Sequence, residues 1–207
     1  MATLKKIRKN KVEKNHFSND ILLINDFGDL LEFDINVDYF VSNPATIEYV
    51  FEDRLMDYTP EFLIKYNLPF NRSILASVLP RNEIRNSWNE FKPKFRAAKQ
   101  YANSRGWKFK IYTEIEINGI YLENVKFLLQ YRRNEKLPNY DHREIIMRIL
   151  SSIKESTPDE ILLIAFRDKN RQAELLQTLW QMVSTSLIGC NLFNKLTMKS
   201  CIWCITD

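Results

Sequence analysis

The sequence predicts an α/β domain followed by a small, mainly helical one. Three observations carry this. Short stretches between residues 45 and 117 alternate apolar and polar side chains, as half-buried strands do. Among them runs a segment in which Ile84, Trp88, Phe91, Phe95, Ala98 and Ala102 recur at three- and four-residue spacings, the period of an amphipathic helix. Beyond residues 133–140, which read as a Pro- and Asn-containing linker, helical periodicity takes over.

Taken in order, Ser18 is a candidate cap for a helix ending near Asp34. Leu22, Phe27, Leu30, Leu31 and Phe33 form its apolar side, and Gly28 is a weak point. Asn43-Pro44 breaks the chain. Residues 45–52 read as a strand, Glu52-Asp53-Arg54 as a turn, and Met56 to Tyr66 as a second strand. A loop containing Pro69 leads to a third strand over 72–79, which Pro80 ends. The amphipathic helix is interrupted near Pro93 and closed by Gly106 as a C-cap. Lys108 to Ile117 reads as a fourth strand and Tyr121 to Arg132 as a short helix.

After the linker, residues 141–155, 158–166 and 170–184 look helical, with Ile145, Ile149, Ile161, Leu175, Leu179 and Trp180 as their apolar set. Gly189 closes this region. Leu192-Phe193 and Ser200 to Ile205 read as two short strands. Three helices and a small hairpin outline a winged-helix module. The expected organisation is a basic arm over 1–16, an α/β domain over 17–132 and a winged-helix-like domain over 141–207.

The chain has 207 residues and a formal charge of +4; 45% apolar content and only 4 glycines exclude a low-complexity chain. Lys5, Lys6, Arg8, Lys9, Lys11 and Lys14 face only Glu13 at the start. Such a cluster reads either as a solvated tail or as an arm that lies on nucleic-acid phosphates. No apolar stretch follows it as in a signal peptide, and none approaches the roughly 20 residues that cross a bilayer. A cytoplasmic protein without membrane contact is expected. Cys190, Cys201 and Cys204 are expected to be free, buried thiols. The Cys201–Cys204 spacing lacks further zinc ligands, since the histidines are only His16 and His142.

A string of short motifs adds a family resemblance. These are Leu31-Glu32-Phe33-Asp34, Pro44 with Thr46-Ile47-Glu48-Tyr49, Tyr58-Thr59-Pro60-Glu61-Phe62 and Val78-Leu79-Pro80. Gly106-Trp107-Lys108-Phe109, Tyr112-Thr113-Glu114 and Leu122-Glu123-Asn124-Val125-Lys126-Phe127-Leu128 follow. In this order and spacing, over about residues 30–130, they resemble the TnsA family, the endonuclease subunit of two-part bacterial transposases. Leu176 to Ile188 and Leu192 to Trp203 resemble the family's second domain more loosely. The resemblance implies a restriction-endonuclease-like core, a mixed sheet flanked by helices. It also implies magnesium-dependent nicking at the 5′ transposon ends, an integrase-type transposase as partner, and an ATP-dependent transposition regulator that docks on the C-terminal domain.

Magnesium needs several hard oxygen ligands, and the scissile phosphate needs charge stabilisation. The resemblance places the family's strand carboxylate on Glu61, the candidate catalytic and metal-binding residue. It places the next carboxylate and lysine on Ser77 and Leu79, and a helical glutamate on Ile24, none of which has the chemistry. Lys65 shares the Glu61 strand but would lie roughly 13 Å away. Asp20, one helical turn before Ile24, and Lys92, Lys94 and Lys99 are candidates for relocated functional groups. The leading reading is therefore a TnsA-like subunit acting at transposon-end DNA with impaired cleavage and a role in assembly. Alternatives are an active magnesium-dependent endonuclease with relocated residues, and a winged-helix DNA-binding regulator without a transposase partner.

Overall fold

The computed structural model describes residues 11–67, 72–133 and 139–205, with only the backbone path for 11–19. Two compact units divide the chain, one up to Asn118 and one from Gly119 onward.

The first unit opens with helix α1 (Lys11–Phe33). Strands β1 (Val37–Ser42), β2 (Ile47–Phe51), β3 (Arg54–Tyr58), β4 (Phe62–Tyr66) and β5 (Ile74–Val78) follow. Helices α2 (Arg81–Asn86) and α3 (Trp88–Ser104), strand β6 (Lys108–Tyr112) and the helical turn α4 (Glu114–Ile117) complete it. The main sheet has the order β1-β4-β5-β6. β4 runs antiparallel to β1 and β5, whereas β6 is parallel to β5 because α3 supplies the crossover between them. β2 and β3 form a separate hairpin. Its turn residues Glu52 and Asp53 both take positive φ, 49° and 56°, which suits the twist of a two-residue connection.

Helices flank the sheet. α1 buries Leu23, Phe27 and Leu31 at four-residue intervals, and the Phe27 ring lies 5.6 Å from Phe62 and 4.4 Å from Tyr112. α3 buries Phe91, Phe95, Ala98 and Ala102 against Leu75 and Leu79. All of β5 is buried, which explains its near-continuous apolar sequence.

Several boundaries differ from the sequence reading. α1 is continuous from Lys11 through Ser18 and Gly28, so Ser18 does not open it. The segment 56–66 is two strands, because Thr59-Pro60 turns the chain between β3 and β4. The expected strand over 108–117 stops at Tyr112, where Thr113 caps α4: Ile115 N donates to its hydroxyl at 3.3 Å, and Thr113 N donates to Glu116 Oε2 at 2.8 Å. The helical break falls at Ser87, and Pro93 sits inside α3. Gly106 does close that helix region with positive φ, 72°.

The second unit contains α5 (Ile120–Arg132), α6 (Tyr140–Ile153), β7 (Glu155–Ser156), α7 (Pro158–Ala165), α8 (Lys169–Ser184), β8 (Ile188–Cys190) and β9 (Ile202–Cys204). The three strands form an antiparallel sheet in the order β7-β9-β8. Residues 192–193 are not a strand; the pairing lies at Ile188–Cys190, and Gly189 is inside it. A Cβ at Gly189 would run into the Trp203 indole across the pair.

α5 packs on α8, with the Phe127 and Trp180 rings edge to face at 5.3 Å. The sequence reading grouped this helix with the first domain, but it belongs to the second unit. Residues 134–138 of the expected linker lie outside the described residues. α6 turns His142, Ile146 and Leu150 inward, leaving Ile145 and Ile149 half-buried. Asn124 of α5 is 4% exposed. Its amide donates to the Leu192 and Asn194 carbonyls, both at 2.8 Å, and its oxygen accepts from Leu196 N at 3.0 Å. The cysteines are free, but Cys201 is exposed and Cys190 and Cys204 only half-buried, so the expectation of buried thiols does not hold. Among the described residues, no helix is long and apolar enough to cross a membrane.

Candidate functional site

Glu61 sits just before β4, beside the end of β5. One carboxylate oxygen accepts from the backbone N–H of Val78 at 2.9 Å. Burial pushes its pKa up to about 7; the Val78 N–H, its own backbone N–H, the Lys94 charge and the Ser77 hydroxyl act in the opposite direction. Ser77 is fully buried and hydrogen-bonded to the Tyr58 hydroxyl. Burial, then the Glu61 charge, raise the Tyr58 pKa. The carboxylate is thus one member of a polar cluster that closes the junction between β3, β4 and β5.

Leu75, Ser77 and Leu79 share the β5 face that the resemblance marks as active. That face is packed. Leu75 lies in a cluster with Ile47, Ala98 and Ala102, and Leu79 in one with Phe91 and Phe95. Ile24 is half-buried on α1, next to the inward stripe of Leu23 and Phe27. At Leu75 and Leu79 the structure shows apolar packing, and at Ser77 a hydrogen bond to Tyr58.

The candidates for relocation separate. Asp20 lines a cleft of about 580 Å³ with Asp26, Pro80, Asn82, Glu114 and Asn118; neither Glu61 nor Ser77 lines it. Glu114 there accepts from the Arg81 backbone N–H at 2.8 Å. Lys92 and Lys99 are exposed on α3. Lys94 is partly buried and feels the Glu61 charge: burial lowers its pKa, and Glu83, Glu61 and Glu90 raise it. Its ammonium lies 3.6 Å from the Phe91 ring centroid and 5.5 Å from that of Tyr58. Lys65 lies 4.0 Å from Asp38 and covers the Tyr39 ring, away from this cluster. Lys5, Lys6, Arg8 and Lys9 lie outside the described residues, and Lys11 and Lys14 fall in α1 with their side chains undescribed.

These residues do not fit a magnesium ion. Glu61 already accepts from a backbone N–H and carries a carboxyl that burial biases towards the protonated form. No three His, Cys, Asp or Glu side chains among the described residues are grouped to hold a metal. Sequence reasoning missed Tyr58 and the Val78 N–H. The signal for Tyr58 was its place in Tyr58-Thr59-Pro60-Glu61; nothing in the sequence marks the N–H.

The raised pKa of Glu61 makes a stability prediction. The folded protein holds this proton more tightly than the unfolded chain, so the contribution is fully present below about pH 4.5 and is lost as pH rises through about 7. The expected loss is about 3 kcal/mol across that window. Glu61→Gln cannot titrate, so its stability relative to wild type should rise with pH from 4.5 to 8 by that amount. Urea unfolding at several pH values reads this directly, and parallel pH profiles for the two proteins would refute it.

A comparison with curated proteins returns no match. Two family descriptions do match: "TnsA-like endonuclease N terminal" over residues 34–114 and "TnsA endonuclease C terminal" over residues 116–192. They meet beside the division at Asn118, and together they span most of the sequence. With a mixed, helix-flanked sheet in the first unit and both matches in order along the chain, this protein belongs to the TnsA family of transposase endonuclease subunits.

Proposed function

We propose that this chain is a TnsA-like subunit of a heteromeric transposase whose own cleavage is impaired and whose role is assembly at transposon-end DNA. The observation that carries the reading is the packed β5 face, where Leu79 sits among Phe91 and Phe95 and Ser77 bonds Tyr58. An integrase-type transposase and an ATP-dependent regulator are the partners the family relation suggests, and the basic arm is read as lying on DNA phosphates. The second unit runs helix–helix–strand–helix–helix–strand–strand, and its part from α6 to β9 supports reading a winged-helix-like module there as the regulator's dock. The setting is cytoplasmic. With the 5′ ends uncut, transposition products shift toward cointegrates.

A transposition assay in cells tests this. Deleting the chain should abolish or redirect transposition, whereas Glu61→Ala should leave both frequency and product type within about threefold of wild type. Loss of activity in a folded Glu61→Ala protein would sink the assembly reading. The second reading, an active endonuclease, rests on Lys94, whose charge reaches Glu61 as a relocated lysine's would. It predicts that Lys94→Gln behaves like Glu61→Ala and that both abolish cutting.

A further inference from the structure

The solvent side of α3 carries a basic stripe. Trp88, Lys92, Arg96, Lys99 and Asn103 follow one another at three- and four-residue steps and are all exposed, Trp88 by 48%. At 3.6 residues per turn they fall within an arc of roughly 80° and run along about 22 Å of helix. Glu90 projects from the far side of the helix. No ion pair among the described residues occupies Lys92, Arg96 or Lys99. Beside the stripe, Lys92 and Arg96 enter a cleft of about 450 Å³ with Tyr49 and Gln100; Glu48 of β2 is the one carboxylate lining it.

We propose that this stripe is a DNA-backbone contact surface built into the folded domain, separate from the packed Glu61 junction and from the N-terminal arm. Three uncommitted cations on a rigid helix displace counterions from neighbouring phosphates. Gln100, Asn103 and the Tyr49 hydroxyl can hydrogen-bond phosphate or sugar oxygens, and Trp88 offers a flat apolar end. Pro93 and Ala97 in the cleft have short side chains, so a phosphate strand can approach the helix closely. The proposal rests on the reading that the chain acts on DNA, and it names the surface.

The test is equilibrium binding of the full-length chain to a fluorescein-labelled duplex of arbitrary sequence over a series of salt concentrations. Lys92→Gln, Arg96→Gln and Lys99→Gln together should make the slope of log affinity against log salt shallower by about 2 to 3. Affinity at low salt should fall tenfold or more, with an unchanged melting temperature because the sites are exposed. Lys92→Arg with Lys99→Arg should keep the wild-type slope, and deleting residues 1–14 should add its own decrement to that of the triple variant. An unchanged slope in the triple variant overturns the proposal. If that variant binds DNA normally but no longer binds the transposase, the stripe is a protein-docking face and the proposal is also overturned. Absence of DNA binding by the wild-type chain would instead sink the DNA-end reading beneath it.

Discussion

With magnesium and the integrase-type transposase proposed as its partner, the wild-type chain should leave the 5′ strands of transposon-end DNA uncut above background. Of Ile24, Glu61, Ser77 and Leu79, the positions that the resemblance marks, only Glu61 is a carboxylate, and its oxygen is held by the Val78 N–H. Water would have to supply nearly all other magnesium ligands. No lysine stands at position 79, and loss of one preorganised electrostatic contact typically costs about a hundredfold or more in rate. Leu79→Lys alone should stay inactive and should destabilise the fold, since its ammonium would enter the cluster of Phe91 and Phe95. Ile24→Glu, Ser77→Glu and Leu79→Lys together give the best route to partial cutting. A denaturing gel of end-labelled duplex decides the matter. Magnesium-dependent nicking by the wild type, lost in Glu61→Gln, would establish the active-endonuclease reading.

Replacing Asn124 by Leu should cost about 2 to 4 kcal/mol. The side chain is nearly isosteric, but it gives up hydrogen bonds to Leu192, Asn194 and Leu196 at once. A buried backbone group left without a partner costs about 1 to 3 kcal/mol. The loop is partly exposed, so water recovers some of that loss. Asn124→Asp should be comparably harmful, because a carboxylate oxygen would then face the two carbonyls. Urea unfolding gives the magnitude, and hydrogen exchange at the Leu196 amide gives the location. A cost below about 0.5 kcal/mol would show that the loop holds itself.

The framework was legible because it rests on periodicity. The α3 stripe of Phe91, Phe95, Ala98 and Ala102 and the apolar run of β5 each follow from one simple repeat. β1 is not legible in the sequence because it is an edge strand, exposed at most positions, with no clean alternation to read. α6 misled for a different reason. Its sequence holds two apolar stripes one residue apart, and tertiary packing chose His142, Ile146 and Leu150 over Ile145 and Ile149. At the candidate site, the uncharged Ser77 and Leu79 are readable residue by residue. That Ser77 is bonded to Tyr58, and that Glu61 caps a backbone N–H, depends on three chain segments meeting, which no local pattern encodes.

The way Leu79 is embedded acts as a ratchet. A lysine at that position must displace the contacts of Phe91 and Phe95 before any metal rewards it, and a glutamate at 77 must break the bond to Tyr58. On the proposed reading, each step towards cleavage, taken alone, should lower stability and return no activity. On that reading, recovery of cutting would require several coordinated changes in a closed interior, beyond the reach of any single substitution.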